Sequence, residues 1–184
     1  MQEQRVATER RSIAAFILWG AVGFGIGGAI GGIIAVDAAI FFGFAIMGGI
    51  GGMSLGLALK SWKMAGFLAL AGAAGFPSGA FICVFIGLGL GEVLPDLLWR
   101  ILGINTIAGA VGGAALGLPL NSGKAAGFLA LAGAIALRIV EQIETFQLIS
   151  GVTQLAIWGI VLGALLGVTL GYLEKKKAMQ STKS

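Results

Sequence analysis

Polar and ionisable side chains inside long apolar stretches are the groups on which chemistry could rest in this chain. Arg138 and Glu141 stand three residues apart, close enough to pair on one face of a helix. Ser78, Asn105, Thr106, Thr153 and Gln154 are hydroxyl and amide groups set within apolar surroundings. An arginine–glutamate pair with amides and hydroxyls nearby can hold a small polar solute or line a vestibule. It lacks the parts for a reaction. The chain has no His and a single Cys, Cys83. It places no Ser or Cys beside a base and no paired carboxylates at the middle of an apolar run. We therefore expect no enzyme, no cofactor, no metal site and no internal disulfide. Cys83 sits in an apolar stretch and reads as a small packing residue. Glycine-rich matches in the first apolar run do not follow a strand, and Asn121-Ser122-Gly123-Lys124 has no phosphate-loop spacing, so nucleotide binding is not expected.

The elements that must position these residues are membrane spans. Of 184 residues, 58% are hydrophobic and 11% charged, against about 25% charged in an average soluble domain. Six apolar runs, at about 12–36, 38–59, 64–91, 97–120, 125–145 and 150–173, are each long enough to cross a core of about 30 Å as a helix. They are apolar on every face, which excludes the alternation of barrel strands. The run from 12 to 59 is too long for one crossing, so a tight turn is placed around Asp37.

Charge sorting supports the division. With the N-terminus in the cytoplasm, Arg5, Arg10, Arg11, Lys60, Lys63, Lys124, Lys175, Lys176, Lys177 and Lys183 fall on one side, and only Arg100 and Arg138 on the other. The expected location is the plasma (inner) membrane, with residues 1–11 and the basic tail 174–184 cytoplasmic. Trp62 and Tyr172 then sit at the inner interface and Trp99 at the outer one, while Trp19 and Trp158 read as packing residues. The net charge of +4 lies mostly on this inner edge, which suits anionic lipid and not nucleic acid.

The chain also repeats itself. Ile46 to Ala73 recurs 61 residues later as Ile107 to Ala134, both ending in AGFLALAGA. Fainter copies begin at Ala14, resembling the stretch from Ala65, and at Ile157, resembling that from Ile107. The fold class expected is an all-α integral membrane protein. It has six transmembrane helices, arranged as three tandem hairpins of the same orientation at about 12–59, 64–120 and 124–173. A pseudo-threefold ring is the natural arrangement, with repeats parallel and not inverted.

Glycines spaced by four define a face on most spans: Gly23/Gly27/Gly31, Gly48/Gly52/Gly56, Gly109/Gly113/Gly117 and Gly159/Gly163/Gly167/Gly171. Spans three and five carry Ala71/Gly75/Gly79 and Ala126/Ala130/Ala134. Such small-residue faces let helices approach closely in lipid, where hydrophobicity alone cannot drive them together. These hairpins resemble rotary ATP synthase proteolipid subunits. Those subunits need a mid-membrane carboxylate, and spans two, four and six have none, so the likeness is set aside. Size and topology are also similar to the substrate-binding subunits of energy-coupling-factor vitamin transporters, with no residue motif behind that likeness.

Counting about 1.5 Å per helical residue from Lys124, Arg138 lies roughly 21 Å and Glu141 roughly 25 Å across. Ser78, Asn105, Thr106 and Gln154 reach a similar level, beneath the outer surface. These six could line an outward-facing pocket. The simpler reading ends span five near Arg138 and lays RIVEQIETFQ along the interface, with the arginine snorkelling. Pro77 is expected to kink span three. The leading expectation is thus a non-enzymatic glycine-zipper module that packs internally, against a membrane-protein partner or against copies of itself. The alternative is a passive channel or the substrate-binding subunit of a small-solute transporter.

Overall fold

The computed structural model describes residues 2–35, 40–90, 104–143 and 151–181. The described residues form helices α1 (Gln2–Ile34), α2 (Ile40–Ala58), α3 (Trp62–Leu90), α4 (Ile104–Gly117), α5 (Gly123–Ile143) and α6 (Gly151–Ser181), with a 3₁₀ turn at Leu118–Leu120 after α4. No strand occurs among them. Among the described residues, five stretches are long and apolar enough to cross a membrane: Ile13–Ile34, Ile40–Ala58, Trp62–Ile86, Gly123–Val140 and Val152–Lys176, with mean hydropathy of 1.6 to 2.0. The chain is a multi-pass helical membrane protein. The fourth expected span is described from Ile104 onward and contributes the shorter apolar helix Asn105–Leu120. Its first residues, with Trp99 and Arg100, lie outside the described residues.

The long run from 12 to 59 divides into α1 and α2, with Asp37 itself outside the described residues. Two outer helices are longer than their apolar parts. α1 begins at Gln2 and α6 continues to Ser181, so the charged segment before residue 12 and most of the basic tail extend the spans as helix. α3 remains one helix through Pro77.

The turns α2–α3 and α4–α5 share one construction. Lys60 and Asn121, 61 positions apart, both adopt the left-handed conformation, with φ of 56° and 50°. The Lys60 N–H donates to the Leu57 carbonyl (2.8 Å) and the Asn121 N–H to the Leu118 carbonyl (3.1 Å). The next residue in each case is a serine that caps the following helix. Ser61 Oγ accepts from the Met64 N–H (3.2 Å), and Ser122 Oγ from the Ala125 N–H (3.3 Å). Each serine satisfies a donor that a helix start leaves open. Pro119, which cannot donate to a preceding turn, stands in the 3₁₀ segment where α4 stops.

Each helix from α1 to α5 packs on its successor in the chain, and α6 packs extensively on α1, so the contacts run round a closed circuit. The interior is apolar. Phe24, Met47, Phe76, Cys83, Leu116, Leu137, Leu162 and Leu166 are wholly or almost wholly buried. Phe24 of α1 and Phe76 of α3, on helices that are not neighbours in the circuit, meet edge to face with centroids 5.8 Å apart. Large apolar side chains on the outside, such as Ile26, Phe42, Phe67, Leu70 and Phe85, are exposed as lipid contacts would be. Trp62, the first residue of α3, and Tyr172, near the end of the apolar stretch of α6, are exposed, and Trp158 is buried. Trp19 differs from its expected packing role: it is 46% exposed and lies on the outer surface.

Candidate functional site

Close approach of backbones requires that no Cβ stand between them, and the glycines of the four series occupy such positions. A Cβ at Gly23, Gly27 or Gly31 of α1 would run into Ser54, Met47 or Gly43 of α2. On α2, Gly48, Gly52 and Gly56 face Gly72, Leu68 and Ala65 of α3. On α4, Gly109, Gly113 and Gly117 face Gly133, Leu129 and Ala126 of α5. On α6, Gly159, Gly163, Gly167 and Gly171 face Phe24, Gly20, Phe16 and Ile13 of α1. Most of the facing atoms are backbone, which cannot step aside as a side chain can. All thirteen glycines therefore face helices of their own chain. Gly75 and Gly79 do the same between α3 and α4, against Ala115 and Ala108. Gly66 and Gly127, by contrast, have open space where a Cβ would go.

Two glycines that no four-residue series contains have a different use. Gly51 lies under the ring of Phe24 and Gly112 under the ring of Phe76. The missing side chains are what admit these two aromatic rings to the interior. Sequence reasoning overlooked both, although they stand 61 residues apart in the repeated stretch.

The polar residues are distributed unevenly. Ser78 is exposed, whereas its neighbour Gly79 is buried against Ala108. Asn105 and Thr106 are half-buried in the first turn of α4, Gln154 is half-buried near the start of α6, and Thr153 is exposed. Arg138 is half-buried on α5. That helix continues through Arg138 to Ile143, and its membrane-length apolar stretch ends at Val140, two residues past the arginine. Glu141 belongs to the same helix, and its side chain lies outside the described residues. Ser78 thus faces outward, while the amides and the arginine are partly enclosed.

Inside the bundle, most hydroxyls are answered locally. Ser54 Oγ donates to the Gly51 carbonyl (2.7 Å) and Thr169 Oγ1 to the Leu165 carbonyl (2.9 Å), each using its own helix. Among the described residues, two polar atoms are buried without a hydrogen-bond partner: Thr106 Oγ1 and the indole Nε1 of Trp158. Leaving such a group unpaired costs about 1–3 kcal/mol. Trp158 is only 8% exposed, and its ring packs on Phe44 with centroids 6.2 Å apart. Its indole donor escaped sequence reasoning because tryptophan was weighed as an apolar body. The repeat held a signal, since Trp158 aligns with Met47 and Ala108, which are both buried.

No protein-family model, no curated protein and no solved structure matches this chain.

Proposed function

We propose that the chain is a non-enzymatic membrane module whose function rests on a rigid, tightly packed helical bundle and not on a reacting site. In this reading six spans form three tandem hairpins of the same orientation around a pseudo-threefold axis, joined by glycine zippers. Both termini lie in the cytoplasm, and the host is the plasma (inner) membrane. One observation carries the proposal: all thirteen glycines of the four series face helices of the same chain. Glycine faces that have found internal partners are not left over for docking, so a membrane-protein partner or second copy would meet the apolar outer faces.

Equivalent contacts support the tandem arrangement. Gly48 faces Gly72 at the α2–α3 seam, Gly109 faces Gly133 at α4–α5, and Gly163 faces Gly20 at α6–α1, each pair reciprocally. The third seam is offset along α1 by about one helical turn, so the symmetry is approximate. The paired rings of Phe24 and Phe76 fill interior space between non-neighbouring helices, which favours a packed body over an axial pore.

The second reading, a passive channel or substrate-binding subunit for a small solute, is favoured by a separate observation. Trp158 Nε1 and Thr106 Oγ1 are buried polar atoms with no protein partner, and each is a group that a polar guest would satisfy. Asn105, Arg138 and Gln154 are partly enclosed.

Purified protein reconstituted in vesicles separates the two. For a packed module, Gly52→Leu, Gly113→Leu and Gly163→Leu lower the yield of folded protein and destabilise it at or above the roughly 1–3 kcal/mol of core overpacking. Gly127→Leu, placed in open space, leaves it intact. Arg138→Ala and Asn105→Ala then have little effect. If these two polar changes abolish uptake of a small polar solute while folding survives, the packed-module reading is wrong and the transport reading replaces it.

A further inference from the structure

The seam between α5 and α6 differs from the other five in the circuit. Among the described glycines, none draws these two helices together, whereas every other adjacent pair has at least one glycine against the neighbouring helix. Where backbones are not brought close, space remains. A cleft of about 160 Å³ opens here, between the first turns of α5 and the last turns of α6.

Its lining is graded along the helix axes. Lys124 and Phe128 stand four residues apart on α5, and Leu173 and Lys176 three apart on α6, so each pair occupies one helix face. The two helices are antiparallel, so both lysines lie toward the same, basic end and both apolar side chains lie deeper. Leu120 adds to the apolar wall and Glu174 to the mouth. Two ammonium groups against one carboxylate keep the mouth net positive. Phe128 is 49% exposed, so the apolar part of the cleft continues onto the outer surface of the bundle.

A cationic mouth above an apolar slot open to the side matches a molecule with an anionic head and a hydrocarbon tail. Basic pockets between transmembrane helices at the cytoplasmic side hold acidic lipid headgroups by this complementarity. From it we infer that the α5–α6 cleft is a binding site for an anionic phospholipid: the phosphate lies between Lys124 and Lys176, and an acyl chain lies along Phe128 and Leu173. The inference rests on the bundle spanning a bilayer, and it adds a specific ligand that the packed-module reading does not require.

Native mass spectrometry of the full-length protein in detergent, with phosphatidylglycerol or phosphatidylcholine added, tests it. The wild-type protein retains phosphatidylglycerol roughly tenfold better. The pair Lys124→Ala and Lys176→Ala removes that preference. The pair Lys60→Ala and Lys63→Ala, on the same basic edge but outside the cleft, preserves it. The double arginine variant, Lys124→Arg with Lys176→Arg, also preserves it, which guards against loss through misfolding. Equal retention of the two lipids by the wild-type protein, equal losses in both alanine pairs, or loss in the arginine variant each overturns the site. Alkaline extraction of the same protein from proteoliposomes keeps the premises apart. Protein that stays with the vesicles but shows no lipid preference sinks only the cleft assignment; protein released by alkali sinks the spanning bundle as well.

Discussion

Trp158 carries two opposed properties in one side chain. Its ring fills the space beside Phe44, which is favourable, while its N–H is buried without an acceptor, which is not. Trp158→Phe separates them, because it keeps an aromatic ring and deletes the donor. In a packed module the change shifts thermal stability by no more than about 1 kcal/mol, toward greater stability if repacking is complete. In a solute-binding protein it abolishes retention or uptake of the solute with the fold intact. Measuring melting temperature and solute uptake on the same preparation gives the answer. The polar atom was not legible as such from sequence, since a tryptophan in an apolar run can lie on either the inner or the outer surface. Trp19 proves the point by lying outside.

Among elements, the two basic-side turns are the most informative. Lys60 and Asn121 both take a left-handed conformation, but only asparagine tolerates it well. Lys60→Gly removes a steric penalty of about 1–2 kcal/mol and adds a chain-entropy cost of roughly 0.5–1 kcal/mol. The expected net gain is about 0.5–1 kcal/mol in thermal or denaturant unfolding, with Asn121→Gly gaining less. Much of each helix was legible, because a run of some twenty apolar residues in lipid must satisfy its own backbone and therefore coils. The helical ends were not. α1 starts at Gln2 and α6 runs on to Ser181, past the apolar boundary, because charged residues of good helix propensity extend a helix that the span has already nucleated. Arg138 stands two residues before the apolar span ends at Val140, within a helix that runs on to Ile143. A half-buried position lets its aliphatic stem lie on apolar neighbours.

For the whole molecule, the proposed orientation rests on the sorting of basic residues and is open to direct measurement. In a Cys83→Ala background, single cysteines at Lys63 and Lys124, both exposed, should react with a membrane-impermeant thiol reagent from the cytoplasmic side only. A cysteine at Val152, exposed at the opposite end of α6, should react from the outside only. Labelling of positions 63 and 124 from opposite faces would dismantle the arrangement of tandem hairpins. The same geometry sets what the molecule can offer a partner. The glycines of its four series are turned toward its own helices, and large apolar side chains such as Phe42, Phe67 and Phe85 lie on the outer surface.

Composition and spacing by themselves determined that this chain forms apolar helices with small-residue faces, since both properties are local: they need only the hydrocarbon thickness and the four-residue repeat. Which face meets which helix was decided by the tertiary structure. Gly51 and Gly112 belong to no regular series, yet they receive the rings of Phe24 and Phe76, because room in a core depends on what approaches from another helix. The α5–α6 cleft arises in the same way. Gly127 looks like the other glycines in sequence, but it points into open space, and a glycine with no helix opposite it cannot close a seam.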